Sequence, residues 1–330
     1  MTAARTSAPR TGDVLDAVRE ACAIVAARAR HVAIDEARLA AMAAELAVAP
    51  PPPVVWDERH HHRGDAESTL AFVLTLDAIN FGSGWFPTLR KRGALSGYLT
   101  LATALKDHFD ARGPWSAQEL MEIGAHDAAA VLGQDLVEPP VAELMGLYAR
   151  AWNDLGAFLL ARFGGECGAL VEEARGSAAE LVLLLAGMPF YRDVARYAEL
   201  EVPFYKRAQI TASDLAAAFG GRGPGRFDDL GRLTIFADNL VPHVLRHDGI
   251  LRVAPELAEQ IERGELLPSG SEPEVELRAV ALHAVERMVA AIRALGGNAS
   301  ARALDHALWK RGQSAEIKAR PRHRARTVYY

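Results

Sequence analysis

A mainly α fold is expected of this chain. Apolar residues recur at three- and four-residue spacing along most of its 330 residues, glycine pairs follow three of those periodic runs, and strand-like alternation is scarce. No strand–helix–strand pattern recurs, which disfavours a doubly wound nucleotide-binding fold or a barrel enzyme. At about 150 residues per domain, the length fits one large domain or two ordinary ones.

The elements are read in order. Val14–Arg30 and Ile34–Val48 are Ala-rich and carry apolar residues at helical spacing (Val14, Leu15, Val18; Leu39, Met42, Leu46); Pro50 to Pro53 stop the second. Residues 1–49 therefore read as a helical hairpin that is part of the same body as residues 50–330. Further helices are predicted at Ser68–Ile79, Tyr98–Ala111, Ala117–Ile123, Val141–Arg162, Ser177–Ala186 and Tyr205–Phe219. Leu240–His247, Glu256–Arg263, Glu272–Leu295 and Ser300–Trp309 complete the set. Gly164-Gly165, Gly220-Gly221 and Gly296-Gly297 stand where left-handed C-terminal caps belong, and Ser271 with Glu274 forms a capping-box pattern before the longest helix. Strands are expected to be few and short: a hairpin within Thr88–Tyr98 and an extended piece at Glu199–Phe204.

Composition narrows the function. Hydrophobic residues make up 50% and charged residues 24%, enough for a sizeable core. The 37 basic and 42 acidic residues leave a net charge of −5, against a dedicated nucleic-acid binder but compatible with a local basic pocket. Cys22 and Cys167 form no CxxC pair, so neither a disulfide scaffold nor a cysteine-ligated zinc site is expected, and a reducing cytosol fits. Met1 to Asp13 lack the apolar centre of a signal peptide. The longest apolar stretches, such as Leu181 to Met188, fall far short of the roughly 20 residues that cross a bilayer, so a soluble cytoplasmic protein is expected.

Several segments invite chemical readings. Gly220-Gly221-Arg222-Gly223-Pro224-Gly225 follows a helix and precedes Arg226-Phe227. A phosphate loop needs a preceding strand and a Lys-Ser/Thr after the last glycine, so this run reads as a flexible connection. His60-His61-His62 has no Cys or His partner at ligand spacing; it reads as a polar loop, and no metal site is assigned. In Pro203-Phe204-Tyr205-Lys206-Arg207, the two cations fall in the first turn of a helix, where they oppose its dipole. Free N–H groups plus two cations suit a phosphate; a solvated face, or pairing with Glu199 or Glu201, is the plain alternative. Asp238-Asn239 interrupts an apolar run, as a buried carboxylate in need of partners or as the cap of a helix whose first turn holds Pro242. Asp77 and Asn80, three apart before Gly82, are open to the same two readings. Arg320, Arg322, Arg324 and Arg326 alternate before Val328-Tyr329-Tyr330, as an extended basic edge or a solvated tail.

Taken in order, a set of motifs carries a resemblance. They are Leu76-Asp77-Ala78-Ile79-Asn80-Phe81, Leu95-Ser96-Gly97-Tyr98, Arg162-Phe163-Gly164-Gly165 and Tyr191-Arg192-Asp193-Val194, then Phe204-Tyr205-Lys206-Arg207-Ala208-Gln209-Ile210 and Phe236-Ala237-Asp238. Glu274-Val275-Glu276-Leu277-Arg278 and the closing His323-Arg324-Ala325-Arg326 with Tyr329-Tyr330 complete them. Together they resemble the queuosine salvage family, the queuosine 5′-phosphate N-glycosylases, from about Trp56 to Tyr330; the Ala-rich start matches loosely.

The resemblance implies a helical fold similar to DNA glycosylases, acting on a free nucleotide. The implied reaction hydrolyses the N-glycosidic bond of queuosine 5′-monophosphate to queuine and ribose 5-phosphate, with no metal or redox cofactor. It implies Asp238 as the catalytic aspartate, Phe236 as the base-stacking ring and Ser96 as the serine of the S-G-Y motif. Asp305 is the implied second acidic contact, with Trp309 one helical turn beyond, and Asn80 joins the substrate-binding set. Lys206 and Arg207 match the Y-K-R motif and are assigned to the phosphate by their chemistry; His60, at W-x-x-x-H spacing from Trp56, is a further phosphate candidate. Where some members carry Tyr-Arg after F-A-D, this chain has Asn239-Leu240, so no substrate contact is carried over to those positions.

These residue types suit the reaction. Nucleoside cleavage builds positive charge on the ribose, which a carboxylate stabilises or captures covalently. Queuine is a 7-deazapurine without the N7 that an acid could protonate, so the leaving base needs hydrogen bonds at its polar edge. Its side chain carries a secondary amine, cationic at neutral pH, and a diol, both suited to a carboxylate such as Asp305. The expected partner is thus a small molecule, with neither stable nucleic-acid binding nor membrane association. Two alternatives stand beside this reading. A DNA-repair-type glycosylase is disfavoured by the net charge of −5 and by the lack of a helix-hairpin-helix G-x-G turn near Asp238. A non-catalytic protein that sequesters a modified nucleotide would bind tightly without turnover.

Overall fold

The computed structural model describes residues 13–330; the first twelve residues of the expected N-terminal segment, and with them most of the Met1–Asp13 stretch, lie outside the described residues. Helices dominate. The N-terminal part runs α1 (Val14–Arg28), β1 (Val32–Ile34), α2 (Glu36–Val48), α3 (Ala66–Ala78) and α4 (Gly97–Arg112). Next come α5 (Ala117–Glu122), α6 (Ala125–Val131), α7 (Pro139–Phe163), α8 (Cys167–Glu173) and α9 (Ala178–Leu185). After the hairpin β2 (Val194–Tyr197) and β3 (Leu200–Pro203) follow α10 (Lys206–Ala218), α11 (Leu240–His247), β4 (Leu251–Val253) and α12 (Pro255–Glu262). The chain closes with α13 (Glu272–Ala294), α14 (Ala301–Arg311) and α15 (Ala315–Lys318). Both sheets are two-stranded and antiparallel, β1 with β4 and β2 with β3. Among the described residues no helix is long and apolar enough to cross a membrane.

Two apolar clusters organise these helices. The first gathers α3, α4, α7 and α9 with one face of α10, around Phe72, Leu105, Tyr148 and Trp152. The second gathers α1, α2, α11, α13 and α14, around Val18, Val244, Leu282 and Leu304. α1 and α2 both pack on α13, and β1 between them pairs with β4, so the Ala-rich start is built into the second cluster. Small Ala side chains allow that close approach of helix to helix.

The caps explain several boundaries and correct others. Gly164 and Gly220 end α7 and α10 with φ of 63° and 60°, as their sequence positions require. Ser96 caps α4 by accepting from the Leu99 N–H, so the expected Thr88–Tyr98 hairpin is absent: a short 3-10 turn at Phe86–Thr88 and irregular backbone lead directly into the helix. The Ser271–Glu274 capping box does not form either. Glu274 instead accepts from the Gly270 N–H and, at 2.7 Å, from the buried Tyr330 hydroxyl, a stronger claim on a carboxylate that is itself buried.

That contact belongs to the C-terminal segment, which is no solvated tail. The Gly82 N–H donates to the Tyr330 carbonyl, the Asn239 amide to the His323 carbonyl and the Leu267 N–H to the Arg324 carbonyl. His323, Ala325 and Thr327 point into the protein, while the alternating arginines take the other side. Gly84 is required beneath it, since a Cβ there would stand 2.3 Å from the Ala325 carbonyl oxygen.

One buried ion pair ties these parts together. The Arg278 guanidinium of α13 donates to both Asp193 oxygens, at 3.1 and 2.6 Å, and to the Ala237 carbonyl at 2.9 Å. It lies between the rings of Phe204 and Tyr330, 3.9 and 4.8 Å from their centroids. Asp193 also accepts from the Lys206 N–H and so holds the start of α10. The strand before α10, the loop carrying Asp238 and the chain's last residue are thereby fixed against one another.

Candidate active site

Where the two clusters meet, a cavity of about 1070 Å³ opens, with Ser96 and Tyr98 of the α4 start, Lys206 and Asp214 of α10, and Asp305 and Trp309 of α14 on its walls. Asn80, Phe236, Asp238 and His60 line it as well. It therefore gathers eight of the nine sequence-predicted site residues: Asp238, Ser96, Phe236, Asp305, Trp309, Asn80, Lys206 and His60. Arg207 is the exception.

Asp238 is half-buried and meets the cap reading made of it. Its Oδ1 accepts from the N–H groups of Leu240 and Val241, at 2.7 and 3.1 Å, and so caps α11. The residue also lines the cavity, and its Oδ2 has no hydrogen-bond partner among the described residues. Capping pins the carboxylate and leaves one oxygen available. Asp305 accepts from the Phe236 N–H at 2.9 Å, which locks the backbone two residues before Asp238. Burial, reinforced by the charge of Asp238, pushes its carboxyl up to about 8. Asp214, which sequence reasoning missed, lines the same cavity two helical turns after Lys206, and burial pushes it up to about 7. The helical spacing of Asp214 from Lys206 was the available signal; an Ala-rich surrounding gave no reason to weigh it.

Lys206 serves this acidic group. Its ammonium donates to the Asn80 carbonyl at 2.9 Å and to the Asn80 side chain at 3.2 Å. Burial lowers it to about 8, against the opposing pull of Asp238, Asp77 and Asp305. Asn80 in turn donates to Asp77. Arg207 points the opposite way and needs correction as a phosphate ligand. Buried at 1% exposure, its guanidinium donates to the carbonyls of Asp77, Ala78 and Phe190 and lies against Phe81 and Tyr191. Adjacent residues of one helix diverge by about 100°, so one cation faces the cavity and the next the core.

Aromatic surface covers much of the rest. Tyr98 meets Trp309 edge to face, with centroids 6.0 Å apart, and its hydroxyl is hydrogen-bonded to His61 at 3.0 Å. Gly97 beside it lets Phe86 approach, since a Cβ there would fall 2.5 Å from that ring. The three histidines diverge: His60 bonds Thr103, His61 bonds Tyr98 and the Asp57 carbonyl, and His62 bonds Asp110 and Ser68. They do not converge on a common point, and His61 and His62 are buried where a polar loop was expected. The glycine-rich run after α10 contributes nothing to the cavity and acts as a connection.

Comparison with known proteins gives this geometry a family. A sequence model described as queuosine salvage protein matches residues 60–330. The chain belongs to the queuosine salvage protein family. Relatives named queuosine 5′-phosphate N-glycosylase/hydrolase include one from Sphaerobacter thermophilus, 40% identical over 81% of this chain and 83% of its own. Another is from Dictyostelium discoideum, 34% identical over 80% of this chain and 79% of its own, and a third is from Mus musculus, 31% identical over 81% and 84%. The family match begins at His60 and so contains every residue of the acidic and aromatic walls named above.

The raised carboxyl of Asp305 has a measurable consequence. A carboxyl that binds its proton more tightly in the folded than in the unfolded chain makes stability fall as pH rises between the two values, from about 4 to about 8. Asp305→Asn keeps the shape of the neutral acid and removes this dependence. Denaturant unfolding across pH 5 to 8 should therefore show the parent losing stability relative to the variant as pH increases. A difference that stays flat with pH overturns the assignment.

Proposed function

We propose that this protein hydrolyses the N-glycosidic bond of queuosine 5′-monophosphate, releasing queuine and ribose 5-phosphate, in the cytosol. The observation that carries the reading is Asp238: a carboxylate pinned by two backbone N–H groups, with one oxygen unpartnered among the described residues, in the aromatic-lined cavity of a queuosine salvage family member. The free, buried thiols of Cys22 and Cys167 accord with a reducing compartment.

The chemistry follows from the residues. The base stacks on Phe236, beside Trp309. As the bond from the anomeric carbon to the base breaks, its electron pair leaves with the base and positive charge grows on the ribose. Asp238 offsets that charge, and its rigid attachment to the α11 N–H groups means that little reorganisation is needed. Water then supplies a hydroxyl to the anomeric carbon and a proton to the base. Lys206 sits among the aspartates as their counter-ion and keeps several carboxyls compatible in one cavity. Asp305 and Asp214, both held up by burial, are suited to the polar edge and the cationic amine of queuine; ionising beside a bound ammonium removes the cost that raises them in its absence.

The test is direct. Incubation with queuosine 5′-monophosphate followed by chromatography should show free queuine accumulating with time. No base release from the nucleotide or its nucleoside overturns the reading, and tight binding without turnover would instead favour sequestration.

A further inference from the structure

Arg207 is turned into the core and the Lys206 ammonium is taken up by the carbonyl and side chain of Asn80, so neither cation of the Y-K-R motif is left without a hydrogen-bond partner. The alternating arginines of the C-terminal segment supply another cation. The segment is fixed through the carbonyls of His323, Arg324 and Tyr330, with His323 and Ala325 buried while Arg322 and Arg324 line the cavity. Arg324 is satisfied there by the Gly264 carbonyl at 2.8 Å. Arg322 is not. Largely shielded from solvent, it has neither a hydrogen bond nor an ion pair among the described residues.

Its neighbours are also cations. Lys318, at the end of α15, and Lys91, from the irregular stretch before α4, line the same mouth, and the repulsion of Arg322 and Lys91 adds to burial in lowering the Lys318 ammonium. Two chain segments, the stretch holding Lys318 and Arg322 and the loop holding Lys91, thus bring three like charges to one cavity rim, an arrangement that favours an anion there. Arg322 and Asp238 line the same cavity. In a nucleoside 5′-phosphate the anomeric carbon and the phosphorus are only a few bonds apart. A ribose with its anomeric carbon at Asp238 can therefore direct its phosphate to Arg322.

We propose that Arg322, flanked by Lys318 and Lys91, receives the 5′-phosphate of the substrate and sets the preference for nucleotide over nucleoside. This rests on the glycosylase reading above. Planar guanidinium binding of a phosphate is bidentate, which suits Arg more than Lys at the central position.

The experiment compares the parent with Arg322→Ala, Arg322→Lys and Lys318→Ala, in two arms. In the first, kcat/KM is measured for the nucleotide and its nucleoside. Arg322→Ala should lose about 10- to 100-fold more on the nucleotide than on the nucleoside, with Arg322→Lys recovering part of the loss and Lys318→Ala losing less. Equal losses on both substrates overturn the proposal. In the second, calorimetry measures binding of ribose 5-phosphate, with thermal unfolding as the check on folding. A folded Arg322→Ala should bind it at least about 10-fold more weakly than the parent. Unchanged binding, or no binding by the parent, overturns the phosphate site. Absence of base release by the parent overturns the activity, yet the second arm still decides the anion site. If Arg322→Ala fails to fold, the same two readouts on Arg322→Lys and Lys318→Ala carry the decision, and no selective loss in either overturns it.

Discussion

Asp238→Asn is expected to lower turnover by about 10²–10³-fold or more while the protein folds normally, the effect of deleting one preorganised charge that acts on the transition state. Asn offers a carbonyl oxygen in the place of Oδ1, so the N–H groups of Leu240 and Val241 keep their acceptor and α11 keeps its cap. What is lost is the negative charge. In the ground state the ribose carries little charge, so affinity for the nucleotide should change little and the loss should fall on the chemical step. Thermal unfolding paired with single-turnover base release separates the two roles. Turnover near the parent's in a folded variant would remove Asp238 from the mechanism and make Asp305 the next carboxylate to test.

Asp193→Ala is expected to destabilise the protein by about 3–5 kcal/mol, because it removes the doubly hydrogen-bonded counter-ion of the buried Arg278 guanidinium and leaves only the more distant Glu274, at 3.9 Å. Two further losses act in the same direction. The Lys206 N–H loses an acceptor, and the rings of Phe204 and Tyr330 are left around a guanidinium that has lost its closest carboxylate. Removing both charges at once with Asp193→Leu and Arg278→Met should be less damaging than the sum of the two single changes, since neither member of the close pair is then left without the other, and Glu274 keeps its hydrogen bonds from Tyr330 and Gly270. Denaturant unfolding of both single variants and the double variant supplies the cycle. A cost below about 1 kcal/mol for Asp193→Ala would show that Arg278 finds another partner. Because the Ala237 carbonyl also holds Arg278, the double variant should further reduce catalysis through the adjacent Asp238.

Much of the helical framework was legible from local pattern. α11 coincides with its expected span, α7 and α10 end at the glycines that announced them, and Glu199–Phe204 contains β3. The misses have local causes. Short helices such as α6 and α8 offer too few turns for a periodicity to declare itself, β2 is a four-residue arm of a local hairpin, and β1 and β4 are three residues long and exist because each finds its partner strand far away in the chain. The Thr88–Tyr98 hairpin failed because Ser96 claims the Leu99 N–H as the cap of a helix. The Ser271–Glu274 box failed because Glu274 is drawn to Tyr330, 56 residues away.

The site divides the same way. Sequence alone determined which residue types recur in the family's order, and with them Asp238, Asp305, Phe236, Ser96, Asn80, Trp309, Lys206 and His60 come to one cavity. Tertiary structure alone decided which charges are available there. Lys206 and Arg207 are neighbours with identical formal charge, yet the carbonyl that consumes Arg207 belongs to Ala78, 129 residues away, while Arg322, in what reads as an extended basic edge or a solvated tail, is left unpaired among the described residues at the cavity. Periodicity reports on bonds within one segment, where backbone geometry repeats every turn. The fate of a buried charge depends on which distant oxygen meets it, and no local pattern encodes that partner.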